Sequence, residues 1–242
     1  MAEATSSTSL LTSLKAGLDR TAYRLGLHRL AYRLWRYSPA GLYRLYGHHC
    51  YDRARGVDTR GYSDPRYEPT PAPVFRRMIA DLRLRHEDFV FVDFGSGKGK
   101  VLLMASEFPF KKVIGVELWQ ELHRIAEANL RRLGPDARQC QAVESLCMDA
   151  ALYSIPPEPA VFYFFNPFPE ETLARVVENI ERSLKAHPRK IFIIFYASAR
   201  RGTPWDRRRV LDSVGFLESI RNHRTHTVYA NKQLYPGHEP PR

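Results

Sequence analysis

Cysteine is scarce. The three in the chain, Cys50, Cys140 and Cys147, are odd in number, and their spacing fits neither a disulfide framework nor a zinc site. A reducing compartment is therefore expected. Long apolar runs are also missing. No stretch approaches the ~20 residues of a membrane-spanning helix, and residues 1–25 lack the apolar centre of a secretory signal. That segment is Ser/Thr-rich and then Arg-rich, but Glu3 and Asp19 count against a mitochondrial presequence. The expected location is the cytoplasm, with a mitochondrial presequence as the alternative. Negative charge is in deficit: 26 Asp and Glu face 37 Lys and Arg, a net charge of +11. Residues 1–66 hold 11 basic residues against 5 acidic ones. Such an excess suits an anionic partner, nucleic acid or a membrane surface, and equally suits an Arg-rich protein with no such partner.

What is present is enough for one α/β domain: 242 residues, 44% of them hydrophobic. Leu11, Leu14, Leu18, Ala22 and Leu25 recur at helical spacing, and Leu27, Leu30, Leu34 and Tyr37 continue the pattern until Pro39. This N-terminal extension is read as a helical cap on the main domain, with a basic amphipathic arm as the alternative. Residues 51–73 are rich in Pro and Gly and read as a linker or ordered loop. Helices are predicted over 74–84, 100–107, 119–133, 170–186 and 207–214. Strands are predicted over 89–94, 112–117, 143–148, 161–165, 190–196, 216–221 and 225–231. Alternating strands and helices imply a mostly parallel sheet with right-handed crossovers, and the last two strands form an antiparallel hairpin.

The chemistry concentrates where the first of these strands ends. Asp93 is followed by Gly95, Gly97 and Gly99, and then by a helix. A glycine loop between a strand and a helix exposes backbone N–H groups to a polar ligand. A dinucleotide site would place its third glycine at position 100, which is Lys. A P-loop would follow Gly-Lys with Ser or Thr, and neither Lys98 nor Lys100 has one. Glu117 ends the second strand, where a carboxylate can accept hydrogen bonds from ribose hydroxyls. Asp149 ends the third strand. Asn166-Pro167-Phe168 follows the fourth, Val-Phe-Tyr-Phe-Phe. No metal cluster is expected: His48-His49 and His223/His226 are isolated pairs, the latter at the bend of the last hairpin.

The pattern Asp-x-Gly-x-Gly-x-Gly resembles motif I of the class I S-adenosylmethionine (SAM)-dependent methyltransferases. That resemblance implies a Rossmann-like domain over residues 67–242, preceded by the basic extension and linker over 1–66. It implies SAM as cofactor, with Gly95, Ser96, Gly97 and Gly99 beneath its methionine portion and Asp93 near its ammonium group. Glu117 and Leu118 would lie at its ribose and adenine, with Asp149 at the adenine amino group. Asn166, Pro167 and Phe168 would form the catalytic end, facing the transferred methyl. Upstream, Tyr67-Glu68-Pro69-Thr70, Met78-Ile79 and Val92-Asp93-Phe94-Gly95-Ser96-Gly97 resemble the disruptor-of-telomeric-silencing (Dot1-like, non-SET) lysine methyltransferases over residues 67–197. Tyr67 and Thr70 would then contact the cofactor too. Three departures stand out. Glu68-Pro69 replaces a Gly-Glu pair, Lys100 replaces a Gln, and Phe165-Asn166-Pro167-Phe168 stands where that family has Asn-Asn-Phe. The acceptor expected is an amine, a protein lysine first. A nucleic-acid or small-molecule acceptor, or a non-catalytic binding module, is the alternative.

Overall fold

The computed structural model describes residues 51–59, 67–165, 168–197, 206–223 and 225–232. The helical pattern of residues 11–37 and the His48-His49 pair lie outside the described residues. A seven-stranded sheet carries the domain, in the order β3-β2-β1-β4-β5-β7-β6. Its strands are β1 (Val90–Phe94), β2 (Lys112–Glu117), β3 (Val143–Cys147), β4 (Ala160–Phe165), β5 (Ile191–Tyr196), β6 (Leu217–Asn222) and β7 (His226–Asn231). The first five are parallel; β7 runs antiparallel to β5 and β6 antiparallel to β7. The expected Rossmann-like arrangement with a closing antiparallel pair is therefore present.

The helices are α1 (Ala72–Asp81), α2 (Lys100–Ala105), α3 (Gln120–Leu133), α4 (Glu170–Ala186) and α5 (Arg208–Asp212). Each long helix buries a stripe at near-3.6-residue spacing. On α4 the stripe is Leu173, Val176, Val177, Ile180 and Leu184, each side chain worth about 1.5–3 kcal/mol when fully buried. On α1 it is Phe75, Met78 and Ile79. Helix α1 begins earlier than expected because Pro71 serves as its N-cap and Pro73 sits in its first turn, where proline costs no hydrogen bond. On α3 the stripe is Leu122, Ala126, Asn129 and Leu130, one step round from the apolar row Leu122, Ile125 and Leu133 that the sequence also offers.

The two sheet faces hold separate cores. Val90, Val92 and Phe94 of β1, with Phe162 and Phe164 of β4, face α4. Phe91, Val161 and Tyr163 face α1 and α2, where Phe75 meets Phe91 and Tyr163 edge-on at 5.8 Å. Strand order reverses between β1 and β4, which opens a crevice at their carboxyl ends.

Arg189 locks the opposite end of β4 and β5. It is 4% exposed. Its guanidinium donates to the carbonyls of Pro156, Glu158, Ser183 and His187 at 2.6–3.0 Å and to Ser183 Oγ at 2.9 Å. Arg189→Met keeps the aliphatic stem and orphans those buried carbonyls. It is expected to lower the unfolding free energy by about 3 kcal/mol or more, measured from the urea midpoint at constant slope.

Candidate active site

At the carboxyl end of β1 the chain turns three times through left-handed backbone: φ is +79° at Gly95, +54° at Gly97 and +77° at Gly99. The N–H groups of Gly95 and Ser96 donate to the carbonyl of Val116 on β2 at 2.8 and 3.2 Å, which fastens the loop to the neighbouring strand. Three contacts make the glycines necessary. A Cβ on Gly97 would stand 2.3 Å from the Tyr67 ring, one on Gly99 would stand 2.9 Å from Ala126 Cβ, and one on Gly115 would stand 2.7 Å from Ser96 Oγ. The loop is thus held between β2, α3 and the segment carrying Tyr67.

Glu117 reaches back from the end of β2. Its Oε2 accepts the Gly97 N–H at 2.7 Å, and its Oε1 accepts the Trp119 N–H at 2.9 Å. Each oxygen retains a second acceptor site. Asp93 lies in register with Gly115 on one side and Tyr163 on the other. It is 3% exposed. Burial first, and then the Glu117 charge, pushes its carboxyl well above the ordinary range. A cation placed beside it would reverse that shift. Two buried polar atoms at the loop, Ser96 Oγ and Tyr67 Oη, have no hydrogen-bond partner among the described residues. Buried atoms of this kind need a partner, and a polar ligand lying on the loop would supply one.

The other expected residues lie around this centre. Thr70 is buried, and its hydroxyl shares a 2.8 Å hydrogen bond with the Tyr163 hydroxyl. Leu118 exposes most of its side chain directly after Glu117. Asp149 is half-buried and caps a 3-10 turn through Ala151 N–H at 2.8 Å. Phe168 packs edge-on against Phe164, with ring centroids 6.4 Å apart. Asn166 and Pro167 lie outside the described residues. Phe165 and Tyr196, at the ends of β4 and β5, pack with tilted rings 4.5 Å apart on the other face of the sheet, beside the core that holds Phe91 and Tyr163.

Some residues that shape the site escaped the sequence reading. Asn129 is fully buried on α3. Its Nδ2 donates to the carbonyls of Lys98 and Asp58, and its Oδ1 accepts the Asp58 N–H. Its signal was a polar residue on an apolar helix stripe. Residues 51–59 begin with a helical turn and dock on the loop. Tyr51 presents its ring 4.8 Å from Lys100 Nζ, and Asp52 accepts from Thr59 N and Oγ1. Burial lowers the Lys100 pKa to about 8. In the Arg207-Arg208-Arg209 run, two of the three guanidinium groups are paired with carboxylates. Arg208 is 1% exposed and binds Asp206 at 2.5 Å, and Arg209 pairs with Glu170.

Residues 59–138 match the model of the family described as "Histone methylation protein DOT1". A "Protein-lysine N-methyltransferase" of Saccharolobus islandicus (strain REY15A) is 38% identical over 73 residues, 30% of this chain. The match spans 45% of that relative's length. Among solved structures, an RNA methyltransferase from Salinibacter ruber in complex with S-adenosyl-L-homocysteine is 19% identical. It covers 72% of this chain and 100% of its own, with a TM-score of 0.44. A SAM-dependent methyltransferase from Aquifex aeolicus is 18% identical over 66% of this chain and 93% of its own, with a TM-score of 0.49. The chain resembles the class I methyltransferases, and its DOT1-like segment contains Thr70, Asp93, the glycine loop and Glu117.

A raised carboxyl pKa in the folded state means that stability falls as pH climbs from the ordinary Asp range through the folded pKa, and stays lower above it. Asp93→Asn removes this penalty. The ligand-free variant is expected to be more stable than the parent at pH 7, with the gap closing below the ordinary carboxylate range. Thermal unfolding between pH 3.5 and 7.5 checks this, and an Asn variant that is less stable at pH 7 would contradict it.

Proposed function

We propose that this chain is a SAM-dependent methyltransferase that transfers a methyl group to an amine nitrogen, a protein lysine before other acceptors. One observation carries the reading. A deeply buried, charge-starved Asp93 and a backbone-anchored Glu117 flank a glycine loop that tolerates no side chain. That is a fixed receptacle for a ligand with a cationic end and neighbouring hydroxyls, and the two orphaned polar atoms beside it fit the same ligand. Asp93 would hold the ammonium, Glu117 the ribose hydroxyls, Leu118 and Asp149 the adenine, and Tyr67, Thr70, Gly95, Ser96, Gly97 and Gly99 the methionine portion. When bound, SAM supplies a methyl group on a sulfonium centre.

The chain's own residues then have two tasks, alignment and removal of a proton from the acceptor. Phe168, Tyr196 and Tyr67 would flank the entering acceptor, and an apolar surrounding disfavours an ammonium and so would lower an entering lysine's pKa. Asn166 and Pro167 would orient the neutral amine through the amide and a main-chain carbonyl; such alignment supplies much of the rate. The lysine reading is supported by the DOT1-like segment and by the name of the Saccharolobus relative. The pairing of Arg208 and Arg209 with carboxylates argues against a nucleic-acid acceptor at that run.

Calorimetry with SAM and S-adenosylhomocysteine should show saturable binding, and Glu117→Ala should weaken it at least about tenfold through loss of two charge-assisted bonds. A tritiated-methyl assay on fractionated lysate should then give label that protease removes and nuclease does not. No cofactor binding by the parent chain would overturn the methyltransferase reading; nuclease-sensitive label would overturn the lysine one.

A further inference from the structure

Three metal-ligating side chains with no part in the proposed reaction converge where α1 ends against the β6–β7 turn. Asp81 is the last residue of α1, His223 lies in the turn, and His226 opens β7. The His223 N–H donates to the His226 carbonyl at 2.8 Å, and the two rings lie face to face with centroids 4.3 Å apart. His223 Nε2 stands 3.8 Å from Asp81 Oδ2. One ligating atom from each of the three residues lies within 4.8 Å of the other two.

The second observation concerns His226 alone. It is 4% exposed, and its Nε2 has no hydrogen-bond partner among the described residues. Its Nδ1 lies 3.4 Å from Thr225 Oγ1. A proton on Nδ1, shared with that hydroxyl, leaves the Nε2 lone pair buried and unused, the state of a histidine set to ligate.

We propose that Asp81, His223 and His226 bind a divalent transition cation, with Zn2+ the best fit. Two imidazoles and one carboxylate suit a borderline cation and do not suit Ca2+ or Mg2+, which take oxygen ligands. Ligands about 2.0–2.1 Å from a tetrahedral ion stand about 3.3 Å apart. The 3.8 Å separation of His223 and Asp81 therefore has to close by about half an ångström, and the stacked His223 ring has to turn so that its Nε2 lone pair faces the ion. Arg221 Nη1 faces the other carboxylate oxygen, Oδ1, at 4.0 Å and is 40% exposed, so it leaves Oδ2 to the cation. Three protein ligands leave a fourth position for water. The ion would tie the end of α1, the helix that follows Thr70, to a hairpin whose His226 pairs in register with Tyr196. It would thus brace the end of β5 at Tyr196 without entering the crevice.

Titration of the full chain with Zn2+, followed calorimetrically, should reveal a saturable site. Asp81→Asn and His223→Ala, both at partly exposed positions and both expected to fold, should each weaken it at least about tenfold. His123→Ala, on α3, should leave it unchanged. Co2+ substitution should give visible absorption bands of tetrahedral strength that both site variants lose. Absence of saturable zinc binding, or binding unchanged in Asp81→Asn and His223→Ala with circular dichroism intact, would overturn the assignment. SAM binding by the same preparations is a separate readout, so this proposal and the methyltransferase reading can fail independently.

Discussion

The backbone at Gly97 is where the structure has least freedom. A positive φ, the Tyr67 ring and the Glu117 carboxylate all meet there. The first two leave no place for a Cβ, the third fixes the N–H, and each arrives from a different part of the chain. Tyr67 comes from the segment before α1, Glu117 from the end of β2, and the loop itself from the end of β1. The registers that bring them together are set further down the sheet, where Asp93 pairs with Gly115 and where Gly115 leaves room for Ser96. A sheet whose β1–β2 register slipped by one residue would turn Asp93 to the opposite face and move Glu117 off the loop. The apolar pattern of the two strands therefore fixes the polar site at their tips.

Burying two carboxylates side by side is costly. Glu117 offsets its cost with two backbone N–H donors. Asp93 carries its cost openly: burial and then the Glu117 charge push its carboxyl well above the ordinary carboxylate range. Such an imbalance is what a site for a cationic ligand requires, because the group that is strained alone is the one that gains most when the cation arrives. The orphaned hydroxyls of Tyr67 and Ser96 follow the same logic.

The strands and the glycine loop were legible in the sequence because their signals are local: apolar runs bounded by turn residues, and a motif whose spacing excluded two other nucleotide loops. Helix α4 and strand β2 fall at the expected bounds for the same reason. What escaped was set by distant partners. The buried stripe of α3 runs through Ala126 rather than Ile125 because Gly99 presses on that turn and only a small side chain fits. Residues 51–59 have a loop-like composition, yet they are ordered by Asn129 and by the Lys100–Tyr51 contact, neither of which has a sequence signature. His223 and His226 were correctly placed at the last bend, but nothing in the sequence brings Asp81, more than 100 residues earlier, against them.

The departures from the DOT1-like pattern also sort by location. Lys100 stands where that family has Gln, and its ammonium faces the Tyr51 ring, so the change serves the docking of residues 51–58. Those residues precede the matched range of 59–138. Phe165 at the end of β4, Phe168, and Tyr196 at the end of β5 lie beyond that range. The matched segment thus contains the loop built around Gly97 and leaves out these three aromatic residues. The two halves are joined through the Thr70–Tyr163 hydrogen bond, which ties the segment before α1 to the centre of β4.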